Sequence, residues 1–437
     1  MNRASFWRLF CFLFLLCASG SAQEPNTAGQ KPMALTLKQA ETTAIKNNPQ
    51  ITIGKLRALV AVEQVRESRS ALLPEVSINL TGVASQPGGR ITAGGLNNPL
   101  VYPRAAGGVA FSQLITDFGR TTSLVSSSRY HAQAEEENSA ATRAQILLAV
   151  DRSFYGALET QALVRVAEET VKDRRLLSDK ISALAKAKLK SDLDASFAAV
   201  DLSRAELLLL EAKNNYESSL AQLSAVLGYA DLQNFALSEE PLETRSPPPD
   251  VTPLIQQAMQ QRPEVHALQL EQQSAEKMRQ AEHDLWRPSV SALGVVGEAP
   301  VRDDHIPNWY GAAGVNVNIP VFNGWLNKAR AKSSDLEAEA SRQKLIDLRN
   351  NLARDVRIAW EDSNRDYARL AVTSELRKQA SLALDLAQSR YNLGLSSIVE
   401  FSQAELQKTE ADITDTDAVY QFHQSQRVLE YVLGSLQ

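Results

Sequence analysis

The chain has 437 residues, 44% of them hydrophobic and 22% charged, with a formal net charge of −5. Its charges are interspersed with no basic stripe, so no nucleic-acid partner is indicated. Both cysteines, Cys11 and Cys17, fall near the amino terminus, which leaves the rest of the chain without a disulfide, a thiolate nucleophile or a cysteine-held zinc.

Residues 1–22 read as a secretory signal peptide. Arg3 and Arg8 form the positive region, Leu9 to Cys17 is an apolar run too short to span a bilayer, and Gly20, Ser21 and Ala22 offer a cleavage point. Removing those two arginines takes the net charge from −5 to −7. Cys17 is a minor candidate for lipid attachment, because Phe14, Leu15 and Leu16 precede it where a small residue is wanted. No later segment approaches eighteen consecutive apolar residues, so contact with a membrane would require a closed barrel. Residues 23–34 read as a disordered or loosely docked lead-in.

A first unit is expected over 35–228. It opens on the short amphipathic helix Leu37 to Asn48, stopped by Pro49, and continues to Pro74. Two alternating stretches, about 75–84 and 106–115, read as strands, and Asp117-Phe118-Gly119 follows them. A long helix over 119–186, a tip and a return helix over 192–227 complete it. A proline-rich linker spans 229–252 and holds Pro241 and Pro247-Pro248-Pro249. A second unit over 253–437 repeats the order: a short helix stopped by Pro263, strands about 289–297 and 310–320, Phe322-Asn323-Gly324, a long helix over 324–391 and a return helix over 398–433.

The spacings argue duplication. Pro49 to Pro74 and Pro263 to Pro288 are each 25 residues. Gly119 to Ser191 is 72 and Gly324 to Ser397 is 73; Ser191 to Gly228 and Ser397 to Gly434 are each 37. Three of the four spacings agree within one residue; the strand hairpin differs, 45 residues from Pro74 to Gly119 against 36 from Pro288 to Gly324. At ~1.5 Å per residue the long helices would be rods of roughly 100 Å, which must pack lengthwise as coiled coils.

In Val76-Ser77-Ile78-Asn79-Leu80-Thr81 and Val315-Asn316-Val317-Asn318-Ile319, apolar residues alternate with small or polar ones. That fits a lipid-facing outside and a wet inside, and equally a half-buried soluble sheet. Four strands cannot enclose a lumen, so the barrel reading requires several protomers; three would give twelve strands. Gln86 to Gly108 and Glu298 to Trp309 read as hairpin loops, with Tyr102, Trp309 and Tyr310 near the loop ends where interfacial aromatics sit.

The ensemble resembles the TolC-like outer-membrane efflux protein family: the duplicated helix–proline–helix–proline–strand order, Phe118-Gly119 and Phe322-Asn323-Gly324 opening the long helices, and the tip Arg390-Tyr391-Asn392-Leu393-Gly394-Leu395-Ser396-Ser397. The resemblance implies a mainly α tandem-repeat protomer that trimerises into a 12-stranded barrel in the outer membrane and an α-helical tunnel through the periplasm. It implies an exit duct of a tripartite efflux or type I secretion system, fed by a periplasmic adaptor and an inner-membrane pump, with no cofactor. It places a periplasmic gate at Asp194, Tyr391, Glu400 and Gln403, with Ser396 standing where some members carry an arginine. It places the adaptor-contact tips at Leu393, Gly394, Leu395 and Ser396, and at Lys188, Leu189, Lys190 and Ser191 in the first unit, where Lys188 replaces the glycine. Asp194 and Glu400 read equally as helix N-terminal acids favoured by the dipole.

An enzyme is disfavoured: His131, His266, His283, His305 and His423 are scattered, and no HExxH pair, phosphate loop or nucleophile motif is present. The other alternative is a periplasmic coiled-coil adaptor or scaffold, which two alternating hairpins at matching positions argue against. Cargo selection is expected to lie with the pump.

Overall fold

A computed structural model describes residues 33–84, 92–93, 96–97, 104–239, 245–299 and 307–436. The signal peptide, Cys17, most of the lead-in, Tyr102, Pro241, His305 and much of both hairpin loops lie outside the described residues.

The first unit runs β1 (Met33–Leu35), α1 (Leu37–Asn47), α2 (Pro49–Ser70), β2 (Glu75–Val83), the short β3 (Thr92–Ala93) and β4 (Leu96–Asn97), β5 (Arg104–Thr116), α3 (Arg120–Lys186) and α4 (Asp192–Val226). After β6 (Phe235–Leu237) the second unit runs α5 (Thr252–Gln261), α6 (Pro263–His283), β7 (Ser289–Glu298), β8 (Trp309–Asn318), α7 (Leu326–Asn392) and α8 (Ile398–Leu433). The two long helices, α3 and α7, have the same length, 67 residues.

Local chemistry sets the boundaries. Thr36 closes a capping box with Gln39 at the start of α1. Asn48 ends α1 and caps α2, its side chain accepting from Gln50 N at 2.9 Å, with Pro49 in the first helical position. Each return helix is then locked back onto this corner. Asn48 Nδ2 donates to Val226 O at 2.8 Å, and in the second unit Arg262 Nη1 donates to Tyr431 O at 3.1 Å. Gly228 and Gly434 follow the return helices at φ 87° and 78°. A Cβ at Gly228 would lie 2.7 Å from Asn47 O, and one at Gly434 2.9 Å from Gln261 C, so both corners demand glycine twice over.

The helices form a wall of four columns. The α2 and α4 column lies along one side of α3; the α6 and α8 column lies on its other side, with α7 beyond. The columns meet in small apolar clusters. One joins Val150, Phe154 and Leu158 of α3 to Leu223 of α4 and to Leu35 and Phe235. Another joins Leu352 and Val356 of α7 to Leu254, Val265 and Leu433. Leu35 and Phe235 come from β1 and β6, which pair in parallel from Met33↔Phe235 to Leu35↔Leu237. Met33 and Ala34, the described end of the lead-in, are therefore docked on the linker as a strand, and this small parallel pair stands beside the four-stranded sheet that was expected. Leu35 is driven there by burial, being 1% exposed.

Where the units meet, α3 carries a fully buried carboxylate, Asp151. Arg427 of α8 approaches it with Nε at 3.6 Å and holds Glu430 at 2.7 Å. Burial pushes the Asp151 carboxyl up to about 8 against the pull of Arg427, and Glu41 of α1 and Glu430 add to the rise. Tyr155 of α3 stacks on His423 of α8 beside it, centroids 5.7 Å apart, and burial lowers the His423 pKa.

The main sheet is antiparallel throughout, in the order β2-β5-β7-β8. The pairing of β5 with β7 joins the last strand of one unit to the first of the next, and its register shifts between Leu114 and Thr116, where a bulge turns the chain toward α3.

Candidate functional site

The sheet has two unlike faces. Val76 and Ile78 stand opposite Phe111 and Val109; Val109 stands opposite Val296, and Val315 and Val317 opposite Ala292 and Val290. On the other face Ser77 and Asn79 stand opposite Ala110 and Gly108, and Ser289 and Ser291 opposite Asn318 and Asn316. Among the described residues no helix packs along either face. Ile78 is 74% and Leu80 83% exposed, and β8 is exposed along its whole length. A half-buried soluble sheet covers its apolar face with core; this one does not, which decides between the two readings of the alternation.

The open edges line up. β2 and β8 are the unpaired sheet edges. Below them the outer columns expose apolar side chains: Leu56 and Leu59 on α2, Val200 and Leu210 on α4, and Ile358 and Val372 on α7. A protomer bare along both sides, and with edge strands of opposite direction, is shaped to pair with further copies of itself head to tail.

At the far end the two helix hairpins make matching tips. Each long helix ends in a Schellman turn: Leu189 N donates to Leu184 O at 2.9 Å and Leu395 N to Arg390 O at 2.8 Å. The left-handed residue of that turn is Gly394 in the second tip, φ 73°, and Lys188 in the first, φ 59°. Ser191 and Ser397 then cap the return helices, accepting from Asp194 N at 3.1 Å and Glu400 N at 3.3 Å.

The residues expected at the gate divide. Tyr391 is 6% exposed, stacked on Phe401 at 5.4 Å between centroids, with Lys190 Nζ 4.0 Å over its ring. Burial, with the charge of Asp194 behind it, raises the Tyr391 pKa, and its hydroxyl has no hydrogen-bond partner among the described residues. Tyr391 thus lies inside its own protomer. Asp194 reaches back to Ser191 N at 3.3 Å, completing a capping box. Glu400 faces Arg390 at 3.3 Å. Gln403 lines a groove of about 400 Å³ between α4 and α8, with Phe197, Leu208, Leu406 and Ile413. Of the contact-tip residues, Leu189, Leu393 and Leu395 are exposed, and the Ser396 hydroxyl is buried without a partner among the described residues.

One site escaped sequence reasoning. Arg174 of α3 and Glu405 of α8 form a buried ion pair across the two hairpins, and Ser402 Oγ donates to Asp201 Oδ2 beside it at 2.5 Å. Burial lowers the Arg174 pKa, and Asp201 and Asp173 oppose that shift. Nothing in the sequence marks these residues, since charges on coiled-coil helices are ordinarily solvated. Among the described residues no cluster of potential ligands is arranged to hold a metal.

The comparisons agree with this geometry. The chain is 24% identical to the outer membrane protein TolC of Vibrio cholerae, over 94% of this chain and 93% of that one. It is 21% identical to the outer membrane protein TolC of Escherichia coli, over 92% and 83%. Its fold superposes on a membrane protein from Pseudomonas aeruginosa with a TM-score of 0.80 at 19% identity, covering 91% and 93% of the two chains. The family model for "Outer membrane efflux protein" matches residues 42–229 and again 254–435, one match for each unit, and the chain belongs to that family.

Proposed function

We propose that this chain is one protomer of an outer-membrane exit duct, a homotrimer whose sheets close into a 12-stranded barrel above a helical tunnel. The observation that carries it is the sheet: four strands with an uncovered apolar face and a small polar one, open at both edges, continuous with a wall of rods roughly 100 Å long. The apolar face meets outer-membrane lipid and the Ser- and Asn-bearing face lines the lumen. A periplasmic adaptor and an inner-membrane pump deliver cargo at the two tips, as in the tripartite systems the family serves. The tips around Asp194, Tyr391, Glu400 and Gln403 set the aperture, held shut by the packing of each second hairpin on the first.

The test is extraction from membranes with detergent, gel mobility with and without heating, and conductance in planar bilayers. A heat-modifiable trimer that conducts is the expected result. A protein that leaves the membrane fraction without detergent and forms no pore would return the chain to the adaptor or scaffold reading.

A further inference from the structure

The two tips share one backbone turn and differ in charge. The first reads Ala185-Lys186-Ala187-Lys188-Leu189-Lys190 and the second Tyr391-Asn392-Leu393-Gly394-Leu395-Ser396. In the second tip Arg390, its own cation, is spoken for by Glu400, Lys180 of α3 reaches Asn392 Oδ1 at 3.4 Å, and Leu393 and Leu395 stand out into solvent. In the first, Lys190 is turned inward over Tyr391. Lys186 and Lys188 are exposed, and no described carboxylate lies within ion-pairing distance of either. Of the two acids that follow them in the first turn of α4, Asp194 is engaged with Ser191 N and Asp192 is exposed, outside ion-pairing distance of either lysine.

Lys188 carries a second signal. It occupies a left-handed position, φ 59°, which residues with a Cβ disfavour and which its twin fills with glycine. A Cβ at Gly394 would meet nothing within 4 Å, so crowding does not account for the glycine in the second tip; the left-handed backbone does. Lys188 thus puts an exposed, unpaired charge at the end of the rod against the local backbone preference.

We propose that the first tip is an acid-recognising dock: the hairpin of the periplasmic adaptor that seats there presents carboxylates to Lys186 and Lys188. The second tip takes a neutral, apolar hairpin end against Leu393, Gly394 and Leu395. This rests on the exit-duct reading and adds to it a chemical difference between alternate docking positions around the ring. Both lysines keep one unpaired charge each, so the contact is steered by charge and weakens with salt.

The experiment uses the full-length protein in its native cells. A photo-reactive benzoylphenylalanine at Leu395 reports partner seating on the second tip. A zero-length carbodiimide, which joins amines to carboxylates, reports on the first. The expected result is a Leu395 photo-adduct together with carbodiimide links from Lys186 or Lys188 to acidic residues of a second kind of polypeptide. In Lys186→Gln with Lys188→Gly the lysine links vanish, the Leu395 adduct falls by about threefold to tenfold, and the purified trimer melts no lower than the parent because strain is relieved. Seating at Leu395 with Lys186 and Lys188 unlinked, or linked only to carboxylates of this same chain, overturns the acid-dock proposal and leaves the duct standing. An unaltered adduct in the double variant does the same. No adduct at Leu395 at all overturns the duct reading, and the dock with it.

Discussion

Asp151→Asn tests the buried junction between the units. The carboxyl is fully buried and its pKa rises from 3.8 to about 8. In the unfolded chain it ionises near 3.8, so between the two values the folded protein holds a proton that the unfolded chain has lost. Stability from this group is therefore greatest below pH 3.8, declines as pH rises toward about 8 and is level beyond. At 1.36 kcal/mol per pH unit the full decline is on the order of 5 kcal/mol, and Glu41, Arg427 and Glu430 share in it because they face the same carboxyl. Asparagine has the same shape and cannot ionise, and Arg427 retains Glu430 at 2.7 Å. The apparent melting temperature of the detergent-solubilised protein, followed from pH 5 to 9, checks this. The parent's melting temperature should fall more steeply across the range than that of the variant, which keeps only the smaller decline from Glu159, whose pKa burial raises to about 7, and at pH 8 the variant should melt higher. Parallel curves, or a variant that melts lower at pH 8, would refute the reasoning.

Three further outcomes are expected. Tyr391→Ala empties the stack on Phe401 and should raise single-channel conductance, whereas Tyr391→Phe removes only an unpartnered hydroxyl and should leave conductance near the parent value. Arg174→Ala strands Glu405 in a buried position and should cost about 3–5 kcal/mol, read as a lowered melting temperature; replacing both partners by leucine should recover most of it. Gly228→Ala and Gly434→Ala each meet backbone atoms at under 3 Å from a left-handed position; each should destabilise by about 1–3 kcal/mol and speed tryptic cleavage at the corner.

Much of the architecture was legible because punctuation is chemical. Pro49, Pro74, Pro263 and Pro288 cannot sit in a helix interior, and the span from Gly324 to Gly394 has neither glycine nor proline to break it, so unit order and rod length could be counted. The dyad pattern of Val76 to Thr81 showed a two-faced strand, but a pattern cannot say whether its apolar face is covered; that needed the exposure of Ile78 and Leu80. Pairings distant in sequence were not legible. Nothing local announces that Leu35 pairs with Leu237, or that β5 takes β7 as its neighbour. Asp151 reads as one more solvated helix charge until α1 and α8 close over it. The family resemblance drew attention to Tyr391 and Glu400 at the tip, yet Tyr391 is enclosed by Phe401 and Lys190, and Glu400 is met by Arg390. Lys188 was legible by aligning the units, since it stands opposite Gly394, but its left-handed backbone was not.

The β5–β7 seam has a consequence for ancestry and design. It joins the last long strand of one unit to the first of the next, the same kind of contact that β8 would make with β2 of a neighbouring protomer. The proposed ring is then six half-chains, with every second junction made covalent by the 229–252 connector. A single unit expressed alone would have to be identical at all six stations. Fusion relaxes that: odd and even stations can drift apart while closure is preserved, and cutting the connector should yield two fragments that still assemble alternately.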